Sequence, residues 1–179
     1  MTLLILGSIL FLGSHLIAAF GYREKIEAVG GNHAYMGTVT VLSTISLVMI
    51  VFGYQQASHQ QLWFPLPLSY QLATYLMPIA TILIVAGNIP GNIRRLVKHP
   101  MLTGIAIWAF LHLLANGDLT STIIFFTFGG YAIYRRSTLD AKASDKQPLY
   151  WDAVAIIGGL AVNWLFYRFH EWLGGVGLA

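Results

Sequence analysis

The chain has 179 residues, of which 56% are hydrophobic and only 9% charged, with a formal net charge of +3 and a mean hydropathy of +0.66. A soluble domain carries about 25% charged residues, so this chain cannot solvate its own surface, and lipid is its expected solvent. The length suits a single membrane domain over residues 1–179. The absence of cysteine excludes disulfides, iron–sulfur clusters and thiolate ligands. Any metal must then be held by His, Met, Tyr, carboxylate or water. A pI near 9.3 invites a nucleic-acid reading, but the basic residues lie between apolar stretches and not on one polar face, which argues against nucleic acid as a partner.

A bilayer core is crossed by a helix of about 20 apolar residues. The expected spans, in chain order, are Leu3–Phe20, Tyr35–Gln55, Tyr70–Gly87, Met101–Ala115, Leu119–Tyr134 and Trp151–Leu173. The fold class is therefore all-α, a polytopic helix bundle of about six membrane helices. The first span is apolar from Thr2, lacks a basic leader and shows no A-x-A cleavage pattern before Phe20, so it reads as a retained helix. The fourth and fifth spans are short. Asn116, Gly117 and Asp118 between them form a turn signal, which makes the two an antiparallel hairpin.

Charge sets the expected orientation. Arg23 and Lys25 lie in the first loop, Arg94, Arg95 and Lys98 in the third, and Arg135, Arg136, Lys142 and Lys146 in the fifth. The second and fourth loops carry no lysine or arginine. By the positive-inside rule both termini face away from the cytoplasm, in a multi-pass protein of the bacterial inner membrane. Arg168, near the outer end of the last span, is expected to snorkel. The second loop, His59–Pro67, carries Trp63, Phe64, Pro65 and Pro67 and reads as interfacial. The fifth, Ser137–Pro148, is polar and is expected to be the most mobile part. The pairs Gly129–Gly130 and Gly158–Gly159 permit close helix approach.

Two histidines, His15 and His112, fall inside apolar spans. A ring nitrogen in hydrocarbon must be hydrogen-bonded, protonated onto a partner or bound to a metal. For each, a neutral imidazole bonded to another helix competes with an axial ligand. Ser8 shares the stripe of His15, and Ile105, Trp108 and Asn116 share the face of His112. An indole beside an imidazole suits a flat aromatic cofactor and equally suits core packing. Together the two histidines fit a bis-imidazole haem site in a helix bundle. Upright helices would set them about 10 Å apart in depth, a difference that tilt can remove. His99 precedes Pro100, a residue suited to the first helical turn. It lies about 19 Å along the helix from His112 and on a different face, so the two should not share one iron. With Arg95 and Lys98, His99 could bind a propionate or substrate at the helix N-terminus. His33 and His59 read as solvated loop residues, and His170 as part of an interfacial network with Arg168 and Glu171.

The chain has no G-x-S-x-G, H-E-x-x-H, Walker or G-x-G-x-x-G motif. Its acids, Glu24, Glu27, Asp118, Asp140, Asp145, Asp152 and Glu171, all lie in loops or at span ends, which argues against a proton-relay pump.

The stretch PGNIRRLVKHPMLTGIAIWAFLHLLANGDL, Pro90 to Leu119, resembles the NnrU family of membrane proteins, which includes the 15-cis-zeta-carotene isomerases. His15, Tyr35-x-Gly37, Leu62-Trp63-x-Pro65 and the segment His170 to Val176 extend the resemblance along the chain. It implies haem b as cofactor, His15 and His112 as ligands to its iron, and a further functional role for His99; with Trp108 and Asn116, which share the face of His112, His99 is an expected cofactor-binding residue. In the isomerase branch a redox change at iron frees a coordination site and turns over a cis double bond in a lipid-soluble polyene. That branch carries a cysteine three residues before the second histidine, where this chain has Ala109. The bacterial branch is associated with expression of nitrite and nitric oxide reductases, so a non-enzymatic accessory or sensor role in denitrification, with nitric oxide as ligand, is the second expectation. A third comes from Lys98-His99-Pro100 to Gly104, which is similar to part of the S-adenosylmethionine site of isoprenylcysteine methyltransferases. The paired glutamates of those enzymes are missing, since Arg135 to Ala143 offers only Asp140.

Overall fold

A computed structural model describes residues 1–17, 20–140 and 145–173. These contain seven helices and no strand: α1 (Thr2–Leu16), α2 (Tyr22–Gln55), α3 (Ser69–Ala86), α4 (Ile93–Leu96), α5 (Pro100–Ala115), α6 (Leu119–Thr138) and α7 (Tyr150–Arg168). They gather into two compact units, Met1–His59 and Gln60–Ala179. The helices α2 and α3 are long and apolar enough to cross a membrane, and α1 and α5 are shorter apolar helices.

In the first unit α1 packs along α2. Gly53 lets the backbones meet, since a Cβ there would collide with the main chain of Leu4. Leu4, Phe11 and Ile50 are buried in this contact. Ser43, Ser46, Thr40 and Thr44 each return a hydroxyl hydrogen to a carbonyl one turn back, so none needs water. α1 ends at Leu16, short of the expected Phe20, and Ala18 and Ala19 lie outside the described residues. The basic segment expected as a loop is instead helical. Tyr22 to Gly30 forms the first part of α2, with Arg23 Nε donating to Glu27 Oε1 at 2.8 Å across one turn. Gly31, at φ 71° and ψ 179°, breaks the helix there, a conformation suited to a residue without Cβ. His33 accordingly sits on the helix beyond the break and not in a loop, although it is exposed as expected.

In the second unit α3 is central, with α5 and α7 packed on it and α6 packed on α5. Small residues make these contacts: Gly104 lies on the Ala80 carbonyl and Gly159 on the backbone of Ile82. Gly129 meets Ala109 between α5 and α6, while Gly130 faces open space. The expected hairpin turn is present. Asp118 is the N-cap of α6, its carboxylate accepting from Ser121 N at 2.9 Å.

The segment before α3 lies against this turn. Gly117 O accepts from Leu62 N and Trp63 N, Leu114 O accepts from Leu66 N, and Gln60 O accepts from Leu119 N. The third loop contains the single-turn α4. Asp152, in the first turn of α7, accepts from Asn92 Nδ2 at 2.7 Å and from Ile93 N at 3.0 Å. Asn92 also exchanges hydrogen bonds with the Gln147 backbone. This polar clamp fixes α4 to the start of α7. α6 runs to Thr138, so the fifth connection begins at Leu139, and residues 141–144 lie outside the described ones. α7 stops at Arg168, before the expected Leu173.

Apolar side chains face outward as well as inward. Ile9, Phe110, Phe126, Ile157 and Trp164 are each 59–68% exposed. A soluble monomer rarely shows so much apolar surface.

Candidate functional site

Helix geometry gives His15 and His112, in the apolar helices α1 and α5, the same local setting. His112 lies in the last turn of α5, and its Nδ1 is 2.9 Å from the Trp108 carbonyl. His15 lies in the last turn of α1, and its Nδ1 is 3.0 Å from the Phe11 carbonyl. A carbonyl oxygen only accepts, so in both rings Nδ1 carries the hydrogen and Nε2 the lone pair. An aromatic side chain stands four residues before each histidine, on the same face. The Phe11 ring centroid is 4.1 Å from that of His15, and the Trp108 centroid is 5.0 Å from that of His112. Ser14 Oγ donates to the Phe11 carbonyl and lies 3.1 Å from His15 Nδ1. Ser8, on the same stripe of α1, is buried with its hydroxyl unbonded.

The aromatic wall around His112 extends beyond α5. Phe125 of α6 stacks on the imidazole at 4.5 Å, and Trp108 meets Phe125 and Phe128 edge to face. Asn116 directs its amide to the His112 carbonyl at 2.8 Å, closing the end of α5. His170, beyond the end of α7, brings its ring centroid to 6.1 Å from that of His112. Sequence reasoning placed His170 in an interfacial network, and no local pattern marks its approach to His112. Phe125 was missed for the same reason: the hairpin turn was legible, but not the register in which α6 faces α5.

His99 occupies a different place. It is the N-cap of α5 in a left-handed conformation, φ 51° and ψ 61°, unusual for a residue with a side chain. Its Nε2 donates to the Leu139 carbonyl at 3.0 Å, tying the start of α5 to the end of α6. The length of α5 separates it from His112, as the residue count requires. Arg95 and Lys98 line one groove with it. Ala109 is buried and meets Gly129, so the position of the missing cysteine is filled by helix packing. Among the described residues no three His, Cys, Asp or Glu side chains gather into a metal-binding group.

Neither the curated proteins nor the solved structures yield a match. The family model described as NnrU protein matches residues 3–178, nearly the whole chain. With the conspicuous stretch from Pro90 to Leu119 inside that span, the chain belongs to the NnrU family.

Proposed function

We propose that this protein is a multi-pass protein of the bacterial inner membrane that binds haem b, which His15 and His112 would hold, and isomerises a cis double bond in a lipid-soluble polyene. The observation that carries the reading is the shared setting of the two imidazoles. In each, a backbone carbonyl holds the proton at Nδ1 and directs the lone pair to Nε2, the arrangement typical of metal-ligating histidine. Two imidazoles do not complete the coordination of a bare ion such as zinc. They would be enough to hold a haem, which brings its own nitrogen ligands. His15 and His112 would be the residues that hold it.

Haem bound there would supply a redox-switchable, Lewis-acidic iron. The chain's own residues do the rest. The Phe11 and Trp108 carbonyls fix the tautomers and ring orientations. Phe11 lies beside His15, and Trp108 and Phe125 beside His112, apolar faces that suit a flat macrocycle or a polyene. The outward-facing apolar side chains would let a substrate dissolved in the bilayer reach the protein without crossing water. Haem content tests the reading. Protein purified from haem-replete cells should yield haem b near one equivalent by the reduced pyridine adduct assay. Protein that consistently carries none overturns it.

Ala109 favours a second reading. A methyl buried against Gly129 offers no donor atom, so ligand exchange at that position is closed. On this reading the protein is an accessory or sensor for nitrite and nitric oxide reduction. A deletion strain separates the two: altered polyene isomers support the enzyme, and altered reductase transcript levels alone support the accessory role.

A further inference from the structure

The basic residues of the third connection and Arg135, in the last turn of α6, share one surface. Arg94, Arg95 and Lys98 of the α4 region and Arg135 of α6 line one groove of about 930 Å³. Asp140 is the carboxylate on its wall. Among the described residues no ion pair joins any of these four cations to an acid, the one such pair being Arg23–Glu27. Four cations against the single carboxylate of Asp140 leave the groove with an excess of positive charge, and an anion relieves the repulsion among them. The first turn of α5 opens on the same groove, with Pro100, Met101 and Leu102 among the lining residues. The backbone N–H groups of Met101 and Leu102 come too early in the helix for an intrahelical acceptor, and the helix dipole adds positive potential there. His99 turns the chain into this helix through its left-handed backbone, and its bond to Leu139 O holds the two walls together.

The groove is also partly apolar. Pro90, Met101, Leu102 and Tyr131 share its lining with the cations. Free phosphate has no use for such a surface, whereas a phosphate attached to an acyl chain has. We infer that this groove binds the phosphate headgroup of an anionic lipid, held by Arg94, Arg95, Lys98 and Arg135 with the first turn of α5, its hydrocarbon resting on the apolar lining. Guanidinium groups suit this role because their paired N–H groups match phosphate oxygens. The site stands apart from His112, which lies about 20 Å away at the other end of α5. It therefore does not depend on the haem reading.

Arg136 provides the internal control. It neighbours Arg135 in sequence but does not line the groove, and its Nε donates to Thr103 Oγ1 at 3.1 Å. A diffuse surface potential would charge the loss of any of these cations alike, about fivefold each. A built groove would not. The full-length protein, delipidated in neutral detergent, is titrated with short-chain phosphatidic acid, matched phosphatidylcholine and inorganic pyrophosphate, with binding read by calorimetry. Phosphatidic acid should bind at least about tenfold more tightly than either of the others. Arg95→Gln with Arg135→Gln should weaken it by more than about fiftyfold, beyond the roughly 25-fold that a diffuse potential gives for two lost charges; the paired Arg→Lys variants, which keep the charge and lose the fork, should fall between that and the wild type, and Arg136→Gln should leave it unchanged. Thermal unfolding of each variant identifies any that fail to fold, and the Arg→Lys pair then carries the comparison. Equal losses in Arg135→Gln and Arg136→Gln, or equal affinity for phosphatidylcholine, would overturn the site. Pyrophosphate binding as tightly as phosphatidic acid would overturn its assignment to a lipid.

Discussion

A histidine in a run of apolar residues is conspicuous, and that alone made His15 and His112 legible from sequence. The hydrogen bonds were expected across to another helix, whereas each Nδ1 bonds the carbonyl four residues back in its own helix. What could not be read was the company His112 keeps across elements. Phe125 and His170 reach it only through the packing of α6 on α5 and the path of the chain after α7. The proposed roles lead to different outcomes at these positions. His112→Met should retain haem with a raised midpoint potential, since a thioether favours the reduced iron relative to imidazole. His170→Ala should retain haem as well, because its ring is a neighbour of the ligand, and should shift the potential by changing the polarity beside it. Spectroelectrochemical titration of both variants checks this pair, and loss of haem from His170→Ala would promote that residue to a ligand.

The apolar helices follow from their hydropathy, and the hairpin between α5 and α6 from Asn116, Gly117 and Asp118. The charged helical segments were missed. Tyr22–Gly30 and α4 carry too few apolar residues for a periodic signal, and tertiary bonds such as Asp152 to Ile93 N hold α4 in place. Glycine pairs announced close packing without saying which member makes it. The structure separates them: Gly159 lies on Ile82, and Gly130 touches nothing within 4 Å. Gly159→Leu should therefore force α7 away from α3 and cost about 1–3 kcal/mol. Gly130→Ala should be neutral or stabilising by up to about 1 kcal/mol, through higher helix propensity. Removing the α6 cap with Asp118→Ala should cost about 1 kcal/mol. Thermal unfolding in one detergent ranks the three. A Gly130→Ala variant less stable than Gly159→Leu would mean that the packing faces are misassigned.

At the scale of the molecule, composition alone predicted that lipid, and not water, is the solvent. The outward-facing apolar side chains and the length and hydropathy of α2 and α3 agree with that reading. The proposed orientation rests on the placement of lysine and arginine, and the absence of native cysteine makes it simple to test. Ser58→Cys, in the second connection, should react with a membrane-impermeant maleimide from outside the cytoplasm. Ser137→Cys, at the end of α6, should react only after permeabilisation. Labelling of both from the same side would contradict the multi-pass topology. The central claim is met most directly by the visible absorption spectrum of the purified protein beside those of His15→Ala and His112→Ala. The account predicts a Soret band in the wild type that is shifted or lost in each variant. No band in protein from haem-replete cells, or a band identical in all three, would contradict it.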